Sequence, residues 1–260
     1  SVVDATWESR ALWAPDVVHD ETTGLWWMAY TGVDELRNQR LGMAYSGNLT
    51  SWSRSPLSPI QEPSPPTFFY YPAGGWSECR DPYLFWQDGA WRLLSTVRVP
   101  GDHPEGHGAL AIATAQTMHA WSEPTLFLES GSATPVASLE SSQYLVRDGE
   151  YHLFLHEYAT AGITHLATDD PAAWDFATRT SIDGGIAPEI DSFDDGASWL
   201  LSRVAPYQEP DLDAFSFVVR VDTLAFSDDG EAPVVVRSPP LAREFAERSE
   251  EHTSELQSLL

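Results

Sequence analysis

Four acidic residues stand near the start of short hydrophobic segments, and their spacing along the chain is nearly regular. They are Asp16, Asp81, Glu140 and Glu189. Successive acids are 65, 59 and 49 residues apart, and each is followed 7 to 9 residues later by a glycine and a second hydrophobic run. Carboxyl groups that share one site shift each other's pKa values, so that one can stay protonated while another stays ionised. If the fold brings these side chains together, they are suited to general acid–base chemistry.

The acids open the units of a four-fold internal repeat. Each unit continues with a glycine-anchored hairpin and a third segment rich in small residues, and the first three units close with a tryptophan. The third segments are residues 40–46, 108–114, 162–168 and, less regularly, 216–222, and the closing residues are Trp52, Trp121 and Trp174. Antiparallel strands in repeated units of about 50 residues are typical of the blades of a β-propeller.

Local signals agree with an all-β fold. Asp88-Gly89 and Asp148-Gly149 are strong signals for tight turns between two strands. No long stretch shows the 3.6-residue apolar period of an amphipathic helix, so helices should be minor. The stretch 56–72 and the segment 101–108 are predicted to be loops, and no second domain is indicated.

A propeller would place the four acids in one cleft, because the first strand of every blade lines the central axis and its N-terminal end opens on one face. Cleavage of a glycosidic bond needs such a group, in which one carboxyl protonates the leaving oxygen and another acts at the anomeric carbon. Aromatic side chains near the acids could stack on sugar rings. These are Trp13, Trp76, Tyr83 and Tyr144.

Several short motifs resemble those of the five-bladed β-propeller glycoside hydrolases of families 32, 43 and 68. Arg80-Asp81-Pro82 matches the Arg-Asp-Pro motif of family 32, and Glu140-Ser-Ser-Gln143 is similar to its Glu-Ser-Pro-Gln motif. Residues 30–52 resemble the second blade of family 32, whereas Trp13-Ala-Pro-Asp16 resembles the second-blade motif of family 43. The likeness covers roughly residues 10–235. It implies a five-bladed propeller of which four blades are visible in this chain.

The resemblance implies roles for Asp81 and Glu140, and the residue types near these acids suggest further substrate contacts. Asp81 is expected to hold sugar hydroxyls and stabilise the transition state, and Glu140 is expected to be the general acid/base. Ser142 stands where the second motif usually has proline, and Glu78 is an alternative acid. Substrate contacts are expected from Trp13, Asp16, Trp76, Arg80 and Glu189.

The nucleophile or base of the family lies on a first blade, about two blades before the Arg-Asp-Pro motif, whereas only one unit precedes Asp81 here. We therefore expect that this chain lacks the catalytic first blade and is inactive by itself. The alternative is that Asp16 is the nucleophile or base and that the missing blade follows Glu247. Residues 248–258 resemble translated sequencing-adapter read-through. Residues 1–247 are thus expected to form one truncated propeller domain, and residues 248–260 an artefactual or disordered tail.

The charge of the chain restricts its partners. The sequence has 14 basic against 39 acidic residues, a net charge of −25, which would repel a nucleic-acid backbone or an anionic membrane. Its single cysteine excludes a disulfide framework and a cysteine-built zinc site. Proline and glycine around His103 and His107 argue against a helical metal pair. The sequence therefore predicts a carbohydrate partner without a metal or other cofactor, and it leaves localisation and oligomeric state open.

Three functional hypotheses follow from these observations. The first is a glycoside hydrolase that cleaves furanoside-type bonds with paired carboxylates and is most similar to the β-fructosidases of family 32. The second is a family 43-like arabinosidase or xylosidase. The third is a sugar-binding propeller without catalysis. Retention or inversion at the anomeric carbon depends on the separation of the two carboxyl groups.

Overall fold

The computed structural model describes residues 5–64, 68, 76–102, 106–131, 138–158, 162–193, 198–208, 215–226 and 232–237. These residues form four antiparallel sheets of four strands each, which we number blades 1 to 4 in chain order. Blade 1 contains β1 (Ala11–Asp20), β2 (Leu25–Val33), β3 (Gln39–Ser46) and β4 (Ser53–Arg54). Blade 2 contains β5 (Cys79–Gln87), β6 (Ala90–Val99), β7 (His107–Ala115) and β8 (Thr125–Glu129). Blade 3 contains β9 (Leu139–Arg147), β10 (Glu150–Glu157), β11 (Gly162–Thr168) and β12 (Thr180–Gly184). Blade 4 contains β13 (Ile186–Phe193), β14 (Ser198–Gln208), β15 (Phe215–Ala225) and β16 (Val234–Val236).

Each sheet is a meander in which every strand pairs with its neighbour in the chain. The helical structure in the described residues consists only of short 3-10 turns, which include Ala5–Glu8 and Phe176–Thr178. The four predicted repeat units coincide with the four blades, so the predicted all-β propeller class is confirmed, with four blades present. Gly24, Gly89 and Gly149 open the second strands with φ values of 68°, 74° and 86°, a conformation that glycine adopts without strain.

The hydrophobic core lies between neighbouring blades. Trp27 and Met43 of blade 1 pack with Leu93 of blade 2, and all three side chains are almost fully buried. The next layer joins Leu94 and Leu110 of blade 2 to Leu153 of blade 3, and a further layer joins blade 3 to blade 4. Burial of each large apolar side chain contributes about 1.5–3 kcal/mol, so these layers hold the blades face to face.

The small residues of the third strands allow this close packing. Ala109, Ala111 and Ala113 of β7 are buried, and adding side-chain bulk there would push the sheets apart. The β7 strand begins at His107, so the predicted loop over residues 101–108 ends earlier than the sequence suggested. The predicted tail, residues 248–260, lies outside the described residues.

Each first strand contains the same irregularity near its start. One extra residue is inserted relative to the second strand, and a residue other than glycine at that point has a positive φ. These residues are Ala14 (43°), Asp81 (51°), Ser141 (51°) and Ala187 (51°). A β-bulge of this kind bends a strand and redirects its side chains, and each positive φ costs on the order of 1 kcal/mol or more. Proline follows the bulge residue in three blades, and Ser142 follows it in blade 3.

Candidate active site

The bulges direct side chains of one first strand towards the next blade. Asp16 of β1 accepts a hydrogen bond from the backbone N–H of Leu84 on β5, with 2.5 Å between nitrogen and Oδ2. Asp81 of β5 accepts hydrogen bonds at Oδ2 from the N–H of Ser141 on β9 (3.1 Å) and from its hydroxyl (3.3 Å). Gln143 of β9 accepts one from the N–H of Ile190 on β13 at 3.4 Å. The start of each first strand is thus tied to the next by a side-chain oxygen.

Arg80 connects three carboxylates at the centre of this arrangement. Its Nη2 lies 2.5 Å from Oε1 of Glu140, its Nη1 lies 3.7 Å from Glu78, and its Nε lies 3.9 Å from Asp81. Nη1 also donates to the side-chain oxygen of Gln39 at 3.3 Å. The Arg80 side chain is only 12% exposed. Burial opposes its positive charge, but the three carboxylates outweigh burial and raise its pKa above the usual range.

Both oxygens of the Glu140 carboxylate are occupied. Arg80 holds Oε1, and Nδ1 of His156 lies 3.1 Å from Oε2. Burial alone would raise the pKa of Glu140, but the hydrogen bond with His156 and the charge of Arg80 lower it to about 2. Glu140 is therefore ionised at neutral pH in this arrangement.

Asp81 lies between these groups and behaves differently. Burial raises its pKa, and the negative charge of Glu140 adds to that, while Arg80 and the hydrogen bonds from Ser141 act in the opposite direction. The net pKa shift is upward. In the described part of the chain, the Asp81 side chain accepts hydrogen bonds only at Oδ2. Oδ1 is therefore available to a ligand hydroxyl.

Asp16 and Glu189 share the cleft, and no cation among the described residues forms an ion pair with either of them. Burial raises the pKa of Asp16 to about 6, although the hydrogen bond from Leu84 acts against the shift. Burial of its carboxyl group and the charges of Asp16 and Asp191 raise the pKa of Glu189 to about 7, although part of this residue is exposed. Asp81 also interacts electrostatically with Glu189, so acids from blades 1, 2 and 4 act on one region.

The predicted aromatic contacts divide into two groups. Trp13 and Trp76 come together with ring centroids 5.3 Å apart, and Trp76 is 36% exposed. The guanidinium groups of Arg10 and Arg37 lie 5.7 and 5.5 Å from the Trp76 ring. Trp13 pairs in register with Thr31, whose hydroxyl accepts the backbone N–H of Asp81, so this aromatic pair borders the acidic cleft.

The other two aromatic residues lie at the interface between blades 2 and 3. Tyr144 is 5% exposed and packs against Phe85, because it belongs to the core between blades 2 and 3. The hydroxyl of Tyr83 donates to the backbone carbonyl of Tyr144 at 2.9 Å. The prediction of sugar stacking on Tyr144 is thus wrong, since the side chain is consumed by interblade packing.

The sequence did not identify His156 as a site residue, and it indicated Glu78 as an alternative acid without its ion-pair partner. Glu78 is buried and forms an ion pair with Arg98 at 2.9 Å, while the hydroxyl of Ser138 donates to it. Glu78 is therefore held by groups of the scaffold, Arg98 and Ser138. His156 lies in register with Glu140, but an unbulged hairpin centred on Asp148-Gly149 would place Glu157 there instead. Only the bulge at Ser141 brings His156 opposite Glu140.

Metal and membrane features are not found in the described residues. No group of three or more histidine, cysteine, aspartate or glutamate side chains within them is arranged to hold a metal ion. None of their helices is long and apolar enough to cross a membrane.

Similarity to known proteins is found at the level of three-dimensional structure. No family model and no curated protein matches this sequence. A thermostable family-43 glycoside hydrolase superposes with a TM-score of 0.62 at 17% identity, covering 90% of this chain and 78% of the other. An α-L-arabinofuranosidase from Lactobacillus brevis superposes with a TM-score of 0.61 at 15% identity, covering 89% and 78%. A GH32 β-fructofuranosidase from Bombyx mori gives a TM-score of 0.67 at 12% identity, covering 89% of this chain and 51% of the other.

The fold of this chain is therefore the β-propeller of the solved family 43 and family 32 glycoside hydrolases. The predicted resemblance is confirmed for the fold. The identities are too low to carry an activity across, and the two families fit with similar scores.

Proposed function

We propose that this chain is the propeller of a glycoside hydrolase that cleaves furanoside-type glycosidic bonds with paired carboxylates. The observation that supports this most strongly is the cleft itself. Acids from four separate blades meet there, and their surroundings push their pKa values apart, from about 2 at Glu140 to about 7 at Glu189. Glycosidic cleavage depends on carboxyl groups in different protonation states on either side of one bond.

Asp81 and Glu140 carry the catalytic roles in this proposal. Asp81 binds sugar hydroxyls through its available Oδ1 and stabilises positive charge that develops at the anomeric carbon. Glu140 protonates the leaving oxygen, and in a retaining enzyme it then acts as base towards water. Because Glu140 is ionised in the resting cleft, it must gain a proton before it can act as an acid.

The remaining candidates contact the substrate. Trp13 and Trp76 offer an aromatic edge for a sugar ring, and Arg80 exchanges one of its carboxylate contacts for sugar hydroxyls. Asp16 and Glu189 line the opposite side of the cleft. The nucleophile or base is a carboxylate on a further blade or, in the alternative assignment, Asp16. The commitment of Asp16 to the N–H of Leu84 favours the first assignment, since a carboxylate bound to the scaffold is a weaker nucleophile.

Two other functions have specific observations in their favour. The sequence Trp13-Ala-Pro-Asp16 resembles the second-blade motif of family 43 and favours an arabinosidase or xylosidase specificity. The use of Asp16 and Asp81 as acceptors for backbone N–H groups of the next blade favours a sugar-binding propeller in which the acids are structural.

The test uses the protein encoded by the complete reading frame around this chain. Hydrolysis of fructosides, arabinofuranosides and xylosides is measured for the wild type, Glu140→Gln and Asp81→Asn, with sugar binding followed by calorimetry. An enzyme of the proposed kind loses at least about a hundredfold in kcat in both variants while it still binds sugar. Binding without turnover in the wild type would establish the third hypothesis, and unchanged turnover in Glu140→Gln would remove Glu140 from the mechanism.

A further inference from the structure

His156 is held directly against the proposed general acid. It lies on β10, in register with Glu140 on β9, and its Nδ1 is 3.1 Å from Oε2. The His156 side chain is only 3% exposed, so water does not compete for this contact. Arg80 occupies the other carboxylate oxygen at 2.5 Å.

The hydrogen-bonding capacities of these groups fix where protons can lie. An ionised carboxylate only accepts hydrogen bonds, so Nδ1 of His156 carries a proton while Glu140 is charged. Arg80 does not release a proton at any pH at which proteins function. Among the described residues, the proton on Nδ1 is therefore the one in direct contact with Glu140 that can move onto it. Nε2 of His156 is buried and has no hydrogen-bond partner among the described residues.

We propose that His156 is a positioning residue that fixes the Glu140 carboxylate and supplies the proton that Glu140 delivers to the leaving oxygen. This inference rests on the proposed function. In the protonated pair, imidazolium Nδ1–H faces the Glu140 carboxylate. The Nδ1–H bond breaks as a bond to Oε2 forms, and a carboxyl proton of Glu140 passes to the leaving oxygen as the glycosidic bond breaks. The net change is one proton from His156 to the departing alcohol, which leaves a neutral imidazole with its hydrogen on Nε2. After the product leaves, water in the cleft protonates the partly exposed Glu140, and Glu140 returns the proton to Nδ1.

The charges around the imidazole allow this exchange. On β9 it faces Glu140, and through that carboxylate Arg80 of β5. Its neighbour in register on β11 is Ile163, which is apolar and fully buried. Tyr158 makes an edge contact with the ring, and β13 brings Glu189 and Asp191 to the cleft. Glu157, next in the chain, is paired with Arg179. Among the described residues, Glu140 is thus the acid in direct contact with the imidazole.

Two substitutions separate positioning from proton supply. The amide nitrogen of His156→Asn can reach the place of Nδ1 and donate to Oε2, but it cannot titrate. His156→Ala removes both functions. His107→Asn is the matched control. His107 is also buried, at 5% exposure, and it also contacts carboxylates, those of Glu129 and Asp102. These two carboxylates are not among the acids of the cleft.

The first readout needs no catalysis. In the 260-residue chain with ¹³C-labelled glutamate carboxyl groups, the Glu140 signal is expected to shift in two steps, one when Glu140 itself takes up a proton and one when the neighbouring imidazole changes its charge. His156→Asn should abolish the second step, and His107→Asn should keep it. A single step in the wild type, or an unchanged second step in His156→Asn, would overturn the inference whether or not the protein is a hydrolase.

The second readout uses the complete protein and two leaving groups. Substrates with alkyl leaving groups need the acid, whereas 4-nitrophenyl substrates barely do. We expect His156→Asn to lose at least tenfold in kcat on alkyl glycosides above pH 6 and less than threefold on 4-nitrophenyl glycosides, with a changed basic limb of the pH profile. Equal losses on both substrates would reduce His156 to a structural residue. Absence of hydrolysis in the wild type would defeat the proposed function, and the carboxyl titration would then decide the proton coupling alone.

Discussion

The two sides of the acidic cleft have the same backbone and opposite electrostatics. On one side, Glu140 is held by Arg80 and His156, and its pKa falls to about 2. On the other side, Asp16 and Glu189 have no cationic partner in the described part of the chain, and their pKa values rise to about 6 and about 7. All four first strands carry the same bulge, so the backbone does not cause this difference.

The residue before each bulge decides the electrostatics. In chain order that position holds Trp13, Arg80, Glu140 and Ile186. Blades 2 and 3 thus place an arginine and a glutamate at equivalent positions in neighbouring strands, and the two meet. Blades 1 and 4 place apolar residues there, which supply no charge that could neutralise Asp16 or Glu189. One position per blade therefore sets whether burial or ion pairing dominates a neighbouring carboxyl group.

The substitution with the largest expected effect on this electrostatic difference is Arg80→Met. The substitution leaves Glu140, Asp81 and Glu78 without the guanidinium in a site where Arg80 is only 12% exposed. Removal of one partner of a buried ion pair costs about 3–5 kcal/mol, so we expect a loss of this size in the free energy of unfolding by urea at pH 7. The pKa of Glu140 should rise at the same time.

Arg40→Met is the matched control for this prediction. Arg40 also binds two carboxylates, Asp34 and Glu62, but Glu62 is 62% exposed, so the loss should be about 1 kcal/mol or less. The double variant Arg80→Met/Glu140→Gln should recover part of the stability, because it removes an unpaired buried charge. Equal losses for the two arginines would show that the cleft is too well solvated for the contrast to matter.

The second prediction concerns Glu140→Gln and acid stability. The folded pKa of Glu140 lies below the ordinary 4.5, so its contribution is present above about pH 4.5 and is lost as the pH falls towards 2. Discounted for a side chain that is 23% exposed, the contribution is about 2 kcal/mol. Urea unfolding between pH 2.5 and pH 7 should show a flatter curve for the variant than for the wild type. An unchanged slope would place the acid-labile contribution elsewhere.

Much of the fold could be predicted from sequence because its signals are local. Glycines, turn pairs and alternating apolar residues all act within one hairpin, and they predicted the positions of the blades. They also predicted the turns between the first and second strands of blades 1, 2 and 3, which lie on described residues. The convergence of Asp81 and Glu140 also followed, since it depends only on the position of first strands in a propeller. The hydrogen bond of Asp81 to Ser141 places the two acids side by side as expected.

The electrostatics of the cleft could not be predicted because they depend on which residue stands where relative to each bulge. Counted from the glycines, the four acids stand at nearly equivalent positions. Relative to the bulges their positions differ: Asp81 is itself the bulge residue, and Glu140 precedes one. Asp16 and Glu189 each lie two positions after the bulge residue of their strand. A shift of one residue in strand register exchanges the faces on which the side chains lie. At the bulge in blade 3, this shift places His156 rather than Glu157 opposite Glu140. The alanine–proline pairs at Ala14 and Ala187 indicate an irregular start of the first strand in blades 1 and 4. The Ser141-Ser142 pair gives no such indication in blade 3.

The third prediction addresses the cation-free side through Asp16→Asn. The folded pKa of Asp16, about 6, lies above its ordinary value of 3.8, so the folded state holds the proton more tightly than the unfolded chain. Stability should therefore fall as the pH rises from about 4 through 6, the reverse of the Glu140 case. Asparagine keeps an acceptor for the N–H of Leu84 and removes the charge, so the variant should be more stable by about 1 kcal/mol at pH 8 and unchanged at pH 4. Destabilisation at both pH values would mean that the carboxylate, rather than any oxygen acceptor, is needed to join β1 to β5.

The smallest expected effect is that of Glu189→Gln on the titration of Asp16. The charge of Asp16 raises the pKa of Glu189, and an electrostatic interaction between two sites is reciprocal, so removing the charge of Glu189 should lower the pKa of Asp16. A shift of a few tenths of a unit is expected, because part of Glu189 is exposed and burial, rather than a neighbouring charge, is the main cause at Asp16. The ¹³C carboxyl titration of Asp16 measures it, with Glu140 as an internal reference that should not move by a comparable amount. An upward shift at Asp16 would mean that glutamine dries the cleft more than it relieves repulsion, and burial alone would then govern the cation-free side.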